Sequence, residues 1–315
     1  MWLFLAFLSA VLLGFYDTFK KKSLAGNAVI PVLFLNTLFS SLIFLPFIVM
    51  SAWGDGGQQS AGCPVIPAGS LFHVSSGGWH EHKYILLKSV IVLSSWLLGY
   101  FGIKHLPLTI VGPINATRPV MVLVGALVVF GERLNAWQWA GVALAVASFF
   151  MLSRSGRKEG IDFEHDRWVW MVIGAAAMGA VSGLYDRYLM APVSAGGLGL
   201  DKMMVQSWYT IYQCVMMGVM TAVLWWPSRG ETTPFHWDWC IVFISLFLSA
   251  ADFVYFYCLT MPDAMISIVS MVRRSSVVVS FIFGALVFRE KNIKAKAIDL
   301  ALVVIGMLFL YIGSK

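Results

Sequence analysis

The chain has 315 residues, of which 59% are hydrophobic and only 12% charged, with a mean hydropathy of +0.79. A soluble domain carries about 25% charged and about 45–50% apolar residues, so this composition excludes a soluble globular fold, a disordered chain and a fibrous repeat. The solvent that remains is lipid: at about 20 apolar residues per crossing plus a connection, the length accommodates about ten membrane spans and no sizeable soluble domain. The net charge of +6 reads as basic loops on one membrane face, with no nucleic-acid partner.

Hydrophobic runs broken by Lys/Arg, Gly/Pro or polar clusters predict ten helices, near residues 2–20, 30–50, 83–103, 108–131, 136–153, 168–190, 203–226, 237–258, 264–288 and 294–313. The runs are continuous and lack period-two alternation, which favours helices over a barrel. The first run, Trp2 to Tyr16, has its basic cluster after it, so an uncleaved span is expected. The longest connection, residues 51–82, is rich in Gly and Ser, holds Pro64 and Pro67, and reads as a surface loop. It gathers Cys63, His73, His80, Glu81 and His82, but no ligand pair at helical spacing, so no metal or cofactor is expected. Cys214, Cys240 and Cys258 lie in apolar runs as core filling. Residues 154–167 are polar, hold Gly156 and Gly160, and divide the chain.

The two parts repeat each other. Gly14-Phe15-Tyr16-Asp17 returns as Gly183-Leu184-Tyr185-Asp186, and Asn36-Thr37 as Gln206-Ser207. Tyr100-Phe101 matches Tyr255-Phe256, Pro107 matches Pro262, and Arg118 falls on Arg273. Gly125-Ala-Leu-Val and Glu132 recur as Gly284-Ala-Leu-Val and Glu290. The offset falls from about 169 to about 155 across the long loop and rises to about 158 in the fourth span, by direct comparison of the matched residues. Five spans per half force the second half to enter the membrane from the opposite side, the inverted-repeat plan of secondary transporters. The expected fold is therefore an all-α integral membrane protein of two inverted five-helix repeats, residues 1–153 and 168–315, joined by the linker 154–167.

With these residues the chain resembles the EamA-like branch of the drug/metabolite transporter superfamily. Tyr100-Phe101 running into Leu106-Pro107, then Gly131-Glu132-Arg133, carry the resemblance in the first half. Tyr255-Phe256 into Met261-Pro262, then Arg289-Glu290-Lys291, carry it in the second. Arg289 stands where the family usually has Gly, and the long second loop is atypical. The resemblance implies a secondary active transporter in a bacterial inner (plasma) membrane, with the first four helices of each half lining a central cavity and the fifth helices peripheral. It implies a small-molecule substrate without naming one.

Arg118 and Arg273 are the sharpest chemical signal. An arginine at mid-bilayer costs from about 2.5 to well over 10 kcal/mol, so it faces a cavity or an acid. Two guanidinium forks facing one cavity would bind a carboxylate or phosphate; alternatively each is neutralised by an aspartate and locks helices together. Arg274 diverges from Arg273 by about 100° on a helix and calls for an acid of its own. Asp252, whose repeat mate is Leu97, is either a proton-coupling carboxylate or the salt-bridge partner of Arg273 or Arg274. Asp17 and Asp186, each after a tyrosine and beside basic residues, read as interfacial salt bridges or gates. Asn115, Tyr100, Tyr255 and Trp96 are candidate substrate contacts, with Tyr16, Tyr185 and Tyr257 as further aromatic lining. Gly112-Pro113 either breaks the fourth helix or kinks it. Gly179 and Gly183, extended by Ala175, indicate close helix approach. Glu132 and Glu290 read as loop acids.

No Walker loop and no HExxH motif occurs, so a gradient or exchange must drive transport and no enzymatic function is expected. The expected partners are a small anionic or zwitterionic metabolite, membrane lipids and a coupling proton. A flippase for a phosphorylated lipid is the alternative; a multidrug exporter and a membrane-embedded enzyme fit less well. An even number of spans puts both termini on one side. Loop charge alone places them outside the cytoplasm, whereas the resemblance implies inside.

Overall fold

The predicted runs fold as helices because lipid offers no partner to backbone N–H and C=O groups, which must be satisfied within each segment. A computed structural model describes residues 2–55, 66–67, 69–122, 124, 135–157, 165–190, 193, 197–259, 272–288 and 293–313. Among them, no strand occurs, and the α-helices follow in chain order: α1 Trp2–Ser23, α2 Val29–Asp55, α3 Trp79–His105, α4 Leu108–Ala116, α5 Ala136–Arg157, α6 Arg167–Met190, α7 Lys202–Met220, α8 Cys240–Leu259, α9 Ser276–Leu286 and α10 Ile293–Gly313. Their ends follow local rules. Asp201 Oδ2 accepts from Met204 N at 2.9 Å at the start of α7, and Asn135 and Gln138 exchange bonds at the start of α5. Gly26, at φ +67°, turns the chain between α1 and α2.

Four stretches among the described residues are long and apolar enough to cross a membrane: Val29–Ala52, Trp79–His105, Arg167–Met190 and Lys296–Gly313. Large apolar side chains lie exposed along the helices, Phe4, Leu286 and Val215 among them, as a lipid-facing surface requires. Exposed tryptophans collect near helix ends: Trp79, Trp137, Trp139, Trp170, Trp226, Trp237 and Trp239. That is the distribution of an interfacial aromatic belt. The chain is thus an integral, multi-pass membrane protein.

The chain divides into two units. The first comprises residues 1–25, 94–181 and 238–315. Here α1 runs antiparallel to α8, with Ser9 Oγ donating to Ala251 O at 2.8 Å and Phe15 and Phe19 stacking on Phe247. α5 runs antiparallel to α10 through Ser148 Oγ to Asp299 O (2.8 Å) and Asn135 Nδ2 to Gly313 O (2.6 Å). α4 packs on α9 and α10, where Ala116, Val277, Phe281, Leu300 and Met307 form one cluster. Without a hydrophobic force between helices in lipid, small residues set the approach: Gly102 on α3 meets Val172 on α6, and Gly14 on α1 meets Val279 on α9. Lys21 Nζ caps α3, donating to Ile103 O at 2.7 Å and Leu106 O at 2.6 Å.

The second unit, residues 26–93 and 182–237, packs α2 against α7. Ser41 Oγ donates to Thr210 O at 2.9 Å. Phe44, Ile85, Leu189, Met203 and Met204 form its core. Asn27 and His236 exchange two hydrogen bonds that close the unit's loop ends.

Several expectations change. Helix α3 begins at Trp79, so His80 and His82 are helical; among the described residues no three His, Cys, Asp or Glu groups converge. The fourth helix runs through Gly112-Pro113 to Ala116, is interrupted by a turn at Thr117, and resumes over residues 118–122. The reason is Pro119, which has no N–H for the Asn115 carbonyl; Thr117 Oγ1 and N turn back to Ile114 O instead. The seventh span closes in a π-helical turn, Thr221–Trp225. Lys20, Lys88 and Lys296 are buried. Cys63, Glu132, Pro262 and Glu290 lie outside the described residues.

Candidate functional site

The first unit brings most of the candidate residues together. Tyr16 and Asp17 stand on α1, Trp96 and Tyr100 on α3, Asp252 and Tyr255 on α8. Arg118 follows the turn after α4, and Arg273 and Arg274 precede a matching turn at Ser275, whose hydroxyl bonds Val272 O at 2.6 Å. The two turns, each closed by a hydroxyl on the carbonyl three residues back, are the points where the helices carrying the arginines are interrupted. Interrupted helices expose backbone and side-chain groups to a ligand at bilayer depth.

Arg118 occupies a gap left by Gly179 on α6. A Cβ at Gly179 would stand 2.7 Å from Arg118 Cζ and 2.8 Å from Nη1. Arg118 Nη2 points to Ala175 O at 3.5 Å, and Nε is buried without a hydrogen-bond partner. Among the described residues no carboxylate stands within ion-pair distance of Arg118. Asp17 and Tyr16 lie within its electrostatic reach. The Ala175–Gly179 pair therefore serves a guanidinium as well as a helix, while Gly183 faces open space.

Arg273 is paired with Asp252, and its guanidinium carbon lies 4.2 Å from the Tyr255 ring centre. Arg274 lies within electrostatic reach of both Arg118 and Arg273. Lys20, missed by the sequence because it sits in a basic run at a span end, is buried. Its Nζ is 2.8 Å from Asp17 Oδ1 and 4.3 Å from the Tyr16 ring centre. The Tyr16 and Tyr100 side chains lie side by side here, with Lys20 5.1 Å from the Tyr100 ring centre. Among the described residues of the cluster four cations (Lys20, Arg118, Arg273, Arg274) face two acids (Asp17, Asp252). Asn115, one turn before Arg118, holds its Oδ1 buried and unpartnered. Trp96 is half-buried one turn before Tyr100.

Asp186 belongs to the second unit, ion-paired with Lys88, whose Nζ lies 5.2 Å from the Tyr209 ring centre. Tyr185 donates to Tyr84 O at 3.2 Å, and the Tyr212 hydroxyl meets His82 Nδ1 at 2.9 Å. The α2 and α7 faces in this unit carry Asn36, Ser40, Gln206, Ser207 and Gln213, all buried with side-chain polar atoms unpartnered.

A solved crystal structure is similar in fold, with a TM-score of 0.57 over 98% of this chain and 96% of that one at 15% identity. No curated protein matches the sequence. The model of the EamA-like transporter family matches residues 1–154, the part that carries Tyr16, Asp17, Tyr100 and Arg118. That match, over the first half of the chain, places the protein in the drug/metabolite transporter superfamily of membrane transporters.

Proposed function

We propose that the chain is a gradient-driven secondary transporter of a small organic anion or zwitterion, working by alternating access. In this reading it has ten spans in two inverted five-helix repeats, residues 1–153 and 168–315, joined by 154–167. Three pairs of repeat mates, α2 with α7, α4 with α9 and α5 with α10, pack against each other, which supports that plan. So do the like turns at Thr117 and Ser275.

The observation that carries the substrate class is Arg118, half-buried with its Nε enclosed, and turned to a carbonyl instead of a carboxylate among the described residues. A carbonyl orients a guanidinium without cancelling its charge, so the excess of two cations in the cluster remains available to a ligand. An anion entering between Arg118 and Arg273 exchanges water for charge-assisted hydrogen bonds in a low-dielectric setting, where each is worth more than in water. Asp252 keeps Arg273 oriented, the Tyr255 ring backs its guanidinium, and Asn115 and Tyr100 add neutral donors and acceptors.

The test is thermal unfolding of the purified chain in detergent with succinate, orthophosphate or neutral mannitol, followed by uptake of the stabilising anion into proteoliposomes with and without a pH gradient. An anion at about 100 times its Kd stabilises by about 2.7 kcal/mol, and mannitol does nothing. Arg118→Ala and Arg273→Ala abolish both responses. Gly179→Ala displaces the guanidinium and weakens the anion about tenfold, the loss of one charge-assisted hydrogen bond. Undiminished anion binding and uptake in both arginine variants would sink the reading.

A further inference from the structure

Away from the arginine cluster, α10 carries two buried ionisable side chains, Lys296 and Asp299, with 0% and 1% of their surface exposed. They lie three residues apart and so share a helix face. Lys296 Nζ donates to Thr109 Oγ1 on α4 at 2.9 Å. Asp299 has its backbone carbonyl bonded by Ser148 Oγ of α5, while its carboxyl Oδ2 is buried without a partner among the described residues.

The surroundings make this carboxyl distinctive. Helices α4 and α9, which pack with α10, contain no titratable residue. Helix α5 contains only Arg154 and Arg157, six residues or more beyond Ser148. Helix α10 itself adds Lys294, which is exposed, and Tyr311 at its far end. Among the described side chains of these helices, Lys296 is the charged group that shares the carboxyl's level. A carboxylate buried without donors is costly in lipid, whereas a carboxylic acid brings its own proton.

We propose that Asp299 is a proton-binding site, and that its proton decides whether Lys296 holds Thr109 or turns to the carboxylate. In the arrangement seen, Lys296 is on Thr109. When the acid releases its proton to water, the carboxylate competes for the ammonium one turn away and Thr109 is freed; rebinding of a proton restores the Thr109 contact. Thr109 lies on α4, nine residues before Arg118, so the exchange loosens or fixes the helix that leads to the anion cluster. The site uses none of the arginines, and its test needs no substrate.

Infrared difference spectroscopy of the full chain in lipid, titrated through neutral pH, reads the carbonyl stretch of protonated carboxyl groups. The native chain should show a buried-acid band that disappears as pH rises. Asp299→Asn should remove that band and Asp299→Glu should keep it. Lys296→Met removes the competing cation and should raise the midpoint by about one pH unit; Thr109→Val removes one acceptor that competes with the carboxylate for the ammonium and should lower it. These shifts of opposite sign are not expected of a side chain that only fills space. The proposal is overturned if Asp299→Asn keeps the full pH-dependent band, or if Lys296→Met and Thr109→Val leave the midpoint in place. The second criterion stands even where Asp299→Asn does not fold.

Discussion

Lys88 and Asp186 form an ion pair with unequal partners: the lysine side chain is 4% exposed and the aspartate 34%. That inequality fixes the sign of a comparison. Asp186→Asn strands a buried ammonium beside the Tyr209 ring, at a cost of about 3 kcal/mol. Lys88→Met leaves a carboxylate that can turn to water and costs about 1 kcal/mol. The double variant should recover most of the larger loss, and thermal unfolding of the three proteins in one detergent measures it; equal losses in the single variants would contradict the assignment. The same residues mark how far the sequence can be read. Arg118, Arg273, Asp17 and Asp252 stand out because charge is scarce inside apolar runs. Lys20, Lys88, Lys296 and Asp299 sit toward span ends, where hydropathy merges into the flanking loop, and their burial is created by neighbouring helices. Gly179 was legible as a small residue on a helix face, but that the occupant of its gap is a guanidinium depends on the turn that delivers Arg118.

At the scale of elements, the interruption after α4 is the feature on which the site depends. Pro119 denies the Asn115 carbonyl its helical partner, and Thr117 takes a tighter turn. The two prolines of this stretch are visible in the sequence, yet the break falls at the second. Pro113 removes only one bond, that to Thr109, inside a helix whose buried faces hold it on α9 and α10. Pro119 acts where that packing ends. Pro119→Ala restores an N–H and lets α4 continue, adding about 1 kcal/mol of hydrogen bonding. Continuation rotates Arg118 out of the Gly179 gap, so the unfolding temperature should rise while anion binding falls by tenfold or more. A variant that binds anion as the native chain does would show that the turn is not what positions Arg118.

At the scale of the whole molecule, the number of crossings turns on the two shortest helices. Helix α4 has 9 residues and α9 has 11. At 1.5 Å per residue each reaches only about half of a 30 Å hydrocarbon layer. The other eight, at 19 to 27 residues, are long enough by themselves. Five crossings per half require that the segments following α4 and preceding α9 complete a span with them. If they do not, each half crosses four times. Both arrangements leave the two termini on one side, but they differ at the linker: after five crossings residue 157 faces the side opposite residue 315, and after four it faces the same side. Single cysteines at Arg157→Cys and Lys315→Cys, in a chain whose Cys63, Cys214, Cys240 and Cys258 are replaced by serine, can be labelled with an impermeant maleimide in sealed vesicles of either orientation. The inverted five-helix plan expects the two positions to react from opposite faces. Labelling from the same face would reduce each half to four crossings and remove the inversion that places Arg118 and Arg273 as opposed mates.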